Sequence, residues 1–265
     1  MNKHRRQSFL GANSETILRN LRVSVVGAGG GGSHIAQQLA HIGVGNVQVF
    51  DHDRVEDTNL NRLIGATEKD VRRKTLKVKV AERLIQGIDS KIKVLPQSTQ
   101  WQNAVEALHD SDVIFGGVDS FTERRQIETL ARRYLIPYID IGMDVHELGK
   151  YYGISGQVFL SMPGKPCMQC FGLITDDMVA EEAARYGAAG NRPQVVWSNG
   201  VLASTAIGIF MQLVTPWCPT LDSTLLLEYD GNSHVVTRSN KIDILDQIRC
   251  SHFTSFQDIG DPFLE

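Results

Sequence analysis

Short apolar runs alternate with amphipathic segments through the first half of the chain. Four-residue runs rich in β-branched residues, of which 23–26 and 47–50 are the clearest, predict strands that are buried on both faces. A segment at 71–88 repeats apolar residues at helical spacing, and its basic residues, Arg72 and Arg83 among them, are expected to face solvent. Strands that alternate with helices predict an α/β fold, a mostly parallel sheet with helices on both faces.

The pattern changes after residue 142. Segments 156–160 and 225–228 resemble strands of antiparallel character, and the second runs into an Asp-Gly turn, so antiparallel strands are predicted to continue the sheet. Between them, 161–193 is predicted to be irregular, and an apolar helix is expected from about Asn199.

The length and composition are those of a folded domain. At 265 residues the chain can bury a substantial core, and no linker or repeat divides it, so we expect one domain over 1–238, with a crossover region at 161–195 and a tail at 239–265. A net charge of −3 argues against broad nucleic-acid or membrane binding. The longest mostly apolar stretch, 201–214, is shorter than the roughly 20 residues of a membrane span, and a cytoplasmic protein is expected.

A glycine-rich loop joins the first predicted strand to the first helix. Gly27, Gly29, Gly30 and Gly32 would let the backbone turn tightly and approach a phosphate at the helix N-terminus. Asp51 ends the next strand, where a carboxylate can bind ribose hydroxyls. This arrangement predicts a Rossmann-like nucleotide site without identifying the nucleotide, because NAD-dependent dehydrogenases share it.

The residues after Asp51 narrow the choice. Asp53, Asn59 and Arg62 follow in one loop, and Lys77 lies on the next helix. Two cations and amide donors suit a triphosphate attacked at its α-phosphate, because negative charge must be held as pyrophosphate leaves. An NAD-dependent oxidoreductase, the alternative from another class, would leave these side chains without a task.

In combination these motifs resemble the superfamily of ubiquitin-activating enzymes and their bacterial relatives, the ThiF/MoeB/HesA adenylyltransferases. The family pattern is GxGGxGS, then DxDxVxxSNLNRQ, then a helical lysine and a later aspartate. It is matched at 27–33, 51–63, Lys77 and Asp119, with a threonine and a leucine in place of the serine and glutamine. The resemblance covers roughly residues 4–215.

The resemblance implies an activity that uses ATP and Mg²⁺. The C-terminal carboxylate of a ubiquitin-like protein or peptide would be adenylated, and in some relatives the acyl group then passes to an enzyme cysteine as a thioester. Asp51 and Asp53 would contact the nucleoside, Asn59, Arg62 and Lys77 the triphosphate, and Asp119 would hold Mg²⁺. Adenylation of a non-protein substrate, such as threonylcarbamoyl-adenosine in tRNA, is the alternative within the superfamily.

The resemblance also implies partners. Family members assemble as homodimers with two composite sites, and Arg6 resembles an arginine that reaches into the partner subunit's site, although an ordinary surface arginine would look the same. A conjugating enzyme or a sulfur carrier is a candidate downstream partner. The segment 195–201 stands where relatives have a glycine-rich turn beside the path of the substrate tail.

The cysteines leave three interpretations open. Cys167 and Cys170 stand where many family members carry the first half of a four-cysteine Zn²⁺ site, but no second Cys-x-x-Cys follows. Because 171–193 contains no cysteine, the same two thiols are also the available catalytic nucleophiles, and a structural role is the third interpretation. Cys218 and Cys250 are expected to have no role.

Overall fold

One sheet of eight strands forms the centre of the part of the chain that the computed structural model describes, residues 4–184, 193–218, 225–245, 248 and 250–253. The strands are β1 Arg22–Val26, β2 Asn46–Phe50, β3 Lys93–Gln97, β4 Val113–Gly116, β5 Tyr138–Leu148, β6 Tyr151–Ser161, β7 Leu225–Asp230 and β8 Val235–Arg238. The helices are α1 Ser14–Asn20, α2 Gly30–Ile42, α3 Glu68–Arg72, α4 Lys77–Ile88, α5 Val105–His109, α6 Phe121–Arg133, α7 Asp176–Ala184, α8 Val196–Val214 and α9 Lys241–Leu245.

The sheet has a parallel half and an antiparallel half. Its strand order is β3-β2-β1-β4-β5-β6-β7-β8; pairing is parallel from β3 to β5 and antiparallel from there to β8. The chain runs outward from β1 to β3 and then returns to the other side of β1 at β4. In such sheets the strand order reverses between these two strands, and their carboxyl ends leave a crevice for ligands. The predicted α/β fold class is confirmed.

The core lies on both faces of the sheet. Val23, Val47 and Ile114 are fully buried, as expected of central parallel strands that are covered by helices on each side. Helix α8 packs against α2, β5 and β6. By length and composition alone α8 could cross a membrane, but half of that apolar stretch is buried inside the protein, as in a core helix.

The helix predicted at 71–88 is two helices, α3 and α4. The chain between them leaves helical geometry at Lys74, whose φ is +50°, and the Val55 N–H bonds to the Thr75 carbonyl at 2.8 Å. Arg54 and Leu76 then form an isolated bridge. This pairing with the loop after β2 breaks the helix, and it makes Lys77 the first residue of α4.

Three further features differ from the predictions. Helix α7 occupies part of 161–193; it buries none of its residues, so it shows no apolar periodicity. Strands β5 and β6 extend as a long hairpin, and β8 adds an exposed edge strand. Of the predicted crossover region 161–195, residues 185–192 lie outside the described residues, as does most of the predicted tail beyond 245.

Arg83 is half exposed, as predicted, but its guanidinium binds a buried carboxylate. It donates to both oxygens of Asp70 at 2.8 and 2.9 Å and to the Gly65 carbonyl at 2.8 Å. Asp70 also accepts hydrogen bonds from the Thr67 backbone and hydroxyl in a capping box at the start of α3. Arg72 does lie on the solvated face, where it pairs with Glu68 at 3.4 Å.

Asp70→Asn should lower the free energy of unfolding by about 1–2 kcal/mol at pH 7, since a capping carboxylate is lost and the half-exposed partner is screened by solvent. Arg83 holds the pKa of Asp70 well below its usual range. The stabilisation is therefore present above the unfolded pKa of about 4 and is lost as pH falls below it. Urea unfolding of the wild type and the variant at pH 7 and pH 3 measures the free energy of unfolding at each pH.

The control is Glu68→Gln, which removes an exposed ion pair of the same helix and should change stability by less than about 0.5 kcal/mol. The difference in the free energy of unfolding between Asp70→Asn and the wild type should be smaller at pH 3 than at pH 7. An equal difference at the two pH values would contradict the assignment.

Candidate nucleotide site and metal cluster

A polar pocket lies over the carboxyl ends of β1, β2 and β4, at the reversal of strand order. Its walls come from the loop after β1, the loop after β2, the start of α4 and the loop after β4. The structure brings together these residues that the sequence predicted: Gly27, Gly29, Gly30, Asp51, Asp53, Asn59, Arg62, Lys77 and Asp119.

The glycine loop brings the start of α2 close to the strand ends. Gly27 has a φ of +91°, and its N–H donates to the Phe50 carbonyl at 2.8 Å. Gly32 does not line the pocket; its Cα packs on the Gly27 carbonyl so closely that any Cβ would overlap the oxygen. Gly29 differs, because a Cβ there would meet no protein atom within 4 Å. This open space at a helix N-terminus is where a phosphate can approach.

Asp51 and Asp53 form the acidic wall of the pocket. Asp51 accepts hydrogen bonds from the Ala28 N–H at 2.8 Å and the Asp53 N–H at 2.9 Å, one on each oxygen. Each oxygen keeps a lone pair for a ribose hydroxyl. Burial raises the pKa of Asp51, and the charge of Lys77 partly offsets that rise.

The Lys77 ammonium group pairs with the Asp53 carboxylate at 2.8 Å, and the Lys77 backbone N–H donates to the Asp53 carbonyl at 2.9 Å. Burial alone would raise the pKa of Asp53, but the hydrogen bond and charge of Lys77 outweigh it and leave the pKa lowered. The lysine side chain is 13% exposed. The sequence-based choice of Lys77 as the pocket lysine therefore agrees with the geometry.

Asn59 and Arg62 are presented by a short capped turn. Asn59 Oδ1 accepts from the Glu56 N–H at 3.1 Å in a capping box, and this bond holds the side chain in the pocket lining. Arg62 donates to the Thr58 carbonyl and to Asn61 Oδ1. The turn is tied to α2, because the Ile64 N–H donates to the buried Ser33 hydroxyl at 3.0 Å.

Asp119 lines both this pocket and a second cavity, here named the side groove. The side groove has a volume of about 510 Å³ and lies between the loop after β4, β5, β6 and α8. Its lining includes Met143, Gln157, Leu173, Asn199 and Leu202. Gly117, Val118, Asp119 and Gln194 line both cavities, so the two cavities adjoin at this junction.

A buried ion pair supports the floor of the side groove. The Arg124 guanidinium bonds to both oxygens of Asp140, and the Tyr138 hydroxyl donates to the same carboxylate at 2.7 Å. Gly142 lies against this group, because a Cβ there would lie 3.1 Å from the Arg124 guanidinium and 2.5 Å from the Gln157 amide nitrogen.

A carboxylate from the crossover region caps α6 beside the groove. Glu182 accepts hydrogen bonds from the Phe121 and Thr122 N–H groups, both at 2.9 Å, and from two hydroxyls. Burial alone would raise the pKa of Glu182, but these hydrogen bonds outweigh it and lower the pKa. The favourable charge at a helix N-terminus fixes α7 against α6.

Several pocket residues were not predicted. Glu123 lies in the first turn of α6, and burial raises the pKa of its carboxyl, with the charges of Asp119 and Asp51 adding to the rise. Thr99, Gln100 and Trp101 follow β3. Their place after the carboxyl end of a parallel strand was a signal available in the sequence.

Three cysteines and a histidine form a compact cluster apart from both cavities. Cys167 Sγ lies 3.7 Å from Cys170 Sγ, which lies 3.6 Å from Cys250 Sγ, and His252 Nδ1 is 3.4, 3.4 and 3.9 Å from the three sulfurs. The expectation that Cys250 has no role was wrong, because Cys250-x-His252 supplies the second half of the cluster. Cys218 lies outside it, beside Gln212.

The cluster has the donor chemistry of a zinc site. Tetrahedral zinc with Zn–S bonds of about 2.3 Å separates its sulfurs by about 3.8 Å, close to the observed spacing. The hydrogen bond between Cys167 and Cys250 lowers the pKa of the Cys250 thiol and raises the pKa of the Cys167 thiol, as expected of two adjacent thiols that share a proton. Neither Cys167 nor Cys170 lines the nucleotide pocket or the side groove, so the geometry favours metal binding over the predicted nucleophile role.

A second buried ion pair holds the Cys-x-x-Cys turn. Glu128 accepts from the Met168 N–H at 3.1 Å and from Arg132, and Arg132 donates to the Lys165 and Pro166 carbonyls at 2.8 and 3.0 Å. The Arg132 guanidinium also lies 4.9 Å from the Phe253 ring centroid. Outer contacts of this kind orient metal ligands.

Arg6 lies on the surface, in a short 3-10 helix at Arg5–Leu10, and does not line the pocket of its own chain. Its predicted reach into a partner subunit stays a prediction.

The fold and the pocket are those of an α/β protein with a polar pocket at the reversal of strand order and a second cavity that shares part of its lining. The model of the ThiF family matches residues 1–250, and the chain belongs to the ThiF family. The predicted family and the predicted adenylyltransferase class are thereby confirmed.

Named relatives agree with this assignment. The sulfur carrier protein ThiS adenylyltransferase of Bacillus subtilis is 31% identical over 61% of this chain, which spans 46% of that protein's length. The SAMP-activating enzyme E1 of Haloferax volcanii is 30% identical over 84% of this chain and 77% of its own. The crystal structure of Escherichia coli MccB with succinimide shares the fold, with a TM-score of 0.73 over 91% of this chain and 72% of that one at 22% identity.

Gly29→Ala should fold normally but bind ATP about tenfold more weakly, because its methyl group would enter the open space at the start of α2. The φ of Gly29 is −76°, which alanine adopts without strain. Isothermal titration with ATP measures the affinity, and thermal melting checks the fold.

Gly87→Ala is the matched control, since a Cβ there also meets nothing within 4 Å but lies in α4 away from the pocket. It should bind ATP like the wild type and gain about 0.5–1 kcal/mol of stability. Equal ATP affinity for both variants would contradict the phosphate site.

Proposed function

We propose that the protein uses ATP to adenylate the C-terminal carboxylate of a ubiquitin-like protein or peptide. The observation that carries this proposal is the junction at Asp119, where the nucleotide pocket and the side groove share lining residues. A nucleotide seated on the glycine loop and an acyl chain lying in the groove would meet there. Proximity of the two reacting groups is a main source of rate acceleration in such a transfer.

Each pocket residue has a task in this reaction. The start of α2 cradles phosphates, and Asp51 accepts the ribose hydroxyls. Arg62 and Lys77 neutralise the charge that builds up on the departing pyrophosphate, and Asn59 adds an amide donor. Asp119, exposed at the junction, would hold Mg²⁺, which supplies charge neutralisation at the phosphates when bound.

The chemical step exchanges one bond at phosphorus for another. A carboxylate oxygen attacks the α-phosphorus, a bond forms between them, and the bond to the β-phosphate oxygen breaks. The electron pair leaves with pyrophosphate, and the products are an acyl-adenylate and pyrophosphate. No oxidant or reductant takes part. The ion pair of Lys77 with Asp53 must loosen or be shared when the triphosphate enters, because both lie on the pocket wall.

The names of the relatives support a protein carboxylate as substrate. They include ThiS adenylyltransferase and SAMP-activating enzyme E1, which act on small carrier or modifier proteins by name. Adenylation of threonylcarbamoyl-adenosine tRNA is disfavoured by the net charge of −3. An NAD-dependent oxidoreductase is disfavoured because Asn59, Arg62 and Lys77 all line the pocket.

The proposal extends to the assembly. A homodimer would let Arg6 of one chain complete the site of the other, and the product would pass to a sulfur-carrier or conjugating partner. A thioester on Cys170 or Cys167 is the less favoured route, because both thiols belong to the Cys/His cluster.

We also propose that this cluster binds one structural Zn²⁺. Cys167, Cys170, Cys250 and His252 would hold it and connect the turn after β6 to the C-terminal segment. A closed four-ligand site leaves no position for substrate, so the metal would stabilise the fold and take no part in the chemistry.

Arg62→Ala should lower pyrophosphate exchange about 100-fold or more, since a positive charge that stabilises the transition state is removed. The assay measures incorporation of labelled pyrophosphate into ATP in the presence of a panel of ubiquitin-like proteins and glycine-ending peptides. Arg72→Ala is the control, because Arg72 is an exposed arginine paired with Glu68 outside the pocket.

The control should exchange at the wild-type rate. Absence of ATP binding by the wild type, together with no exchange for any panel member, would overturn the proposed function. Equal exchange by Arg62→Ala and Arg72→Ala would overturn the role of Arg62.

Purified protein should contain one zinc ion per chain, measured by plasma mass spectrometry. Cys250→Ser should lose the metal and melt at a lower temperature, because three ligands bind zinc far less tightly than four. Cys218→Ser, a change of the same kind outside the cluster, should keep both the zinc and the melting temperature. Equal zinc in the two variants would contradict the proposed site.

A further inference from the structure

Asn199 is a buried amide at the side groove for which the described residues supply no hydrogen-bond partner to Nδ2. The residue is 4% exposed and lies in the first turns of α8. A buried polar group that is left unpaired is costly, so an unpaired donor beside a cavity is a mark of a ligand. The family resemblance places segment 195–201 beside the path of the substrate tail, but no local pattern singles out Asn199 within it.

Asn199 is held against the glycine loop. A Cβ on Gly30 would lie 2.5 Å from Asn199 Nδ2, and a Cβ on Gly31 would lie 3.6 Å from Oδ1. The amide therefore occupies space that is open because both helix residues lack side chains. This amide lies beside Gly30, whose backbone lines the nucleotide pocket.

Of the two cavities, Asn199 belongs to the side groove. Asn199 lines the side groove and is absent from the lining of the nucleotide pocket, while Gln194, two positions before the start of α8, lines both. A donor at this place reaches a group that comes along the groove toward Asp119. In the reaction proposed above, that group is a carboxylate.

We propose that Asn199 positions the attacking carboxylate by donating from Nδ2 to the carboxylate oxygen that does not attack. That oxygen becomes the acyl carbonyl oxygen of the adenylate, so the hydrogen bond is kept while the other oxygen forms the bond to phosphorus and pyrophosphate leaves. The amide orients the nucleophile without adding a negative charge beside the phosphates. This inference rests on the proposed function and assigns a positioning residue to the same site.

The test compares two probes that differ in the acyl group alone. They are 5′-O-sulfamoyladenosine and 5′-O-(N-glycylsulfamoyl)adenosine, a stable mimic of a glycyl-adenylate that retains the acyl carbonyl. Asn199→Ala should bind the glycyl probe about tenfold more weakly than the wild type and bind sulfamoyladenosine unchanged. Asn199→Asp, of the same shape, should lose about another tenfold on the glycyl probe, because an acceptor then faces the carbonyl oxygen.

Ser198→Ala is the matched control. Ser198 is the adjacent residue of α8, is equally buried, and also has no hydroxyl partner among the described residues, but it does not line the groove. It should bind both probes like the wild type. Unchanged binding of sulfamoyladenosine by Asn199→Ala also shows that the variant is folded.

The remaining outcomes separate this inference from the proposed function. Failure of the wild type to bind ATP and either probe overturns the proposed function itself. Wild-type binding of the glycyl probe by Asn199→Ala overturns the inference alone. If Asn199→Ala binds both probes more weakly by the same factor, Asn199 contacts the part that the two probes share, and the inference is also overturned.

Discussion

The first turn of α2 carries no side chains, and the site depends on this bare backbone. Gly32 packs on the Gly27 carbonyl, Gly31 lies against Ile141 of β5, and Gly30 lies against Asn199 of α8. Any Cβ at these three positions would collide with another part of the chain. The glycines therefore do more than approach a phosphate, because they also let the antiparallel half of the protein close on the parallel half, and the side groove lies along that contact.

Local signals in the sequence were sufficient for the fold and for most of the nucleotide pocket. Central strands such as β1 and β2 are short apolar runs because helices cover both of their faces. Lys77 does line the pocket, although the helix predicted around it is two helices. The error came from Lys74, where pairing of Leu76 with Arg54 overrides the helical periodicity on either side. The positions of side chains that follow strand ends are set by the topology of the sheet. That topology can be predicted from the alternation of strands and helices along the sequence.

The parts that could not be predicted are those made by contacts distant in sequence. Cys170 and Cys250 are 80 positions apart, and the sequence around Cys250 does not show that the two thiols come together. Glu182 caps α6 from about 60 positions away, on a helix with no buried face. Asn199 is a third example. Its Nδ2 is buried without a hydrogen-bond partner among the described residues, and only the folded structure shows this.

Helix N-termini converge on the site, and their arrangement suits the meeting of two anions. Helix α2 begins at Gly30 and α4 at Lys77 on the nucleotide pocket, while α6 begins at Phe121 and α8 at Val196 near the side groove. Each N-terminus carries a partial positive charge. Glu182 already occupies that of α6, so its anion-binding capacity is used to hold the crossover region. In the proposed reaction the start of α2 would receive the phosphates, and α8 is the helix on the side groove that would meet the carboxylate. A carboxylate and a triphosphate repel each other because both are negatively charged. In the proposed reaction, a neutral amide near the start of α8 would stabilise the carboxylate without binding the phosphates.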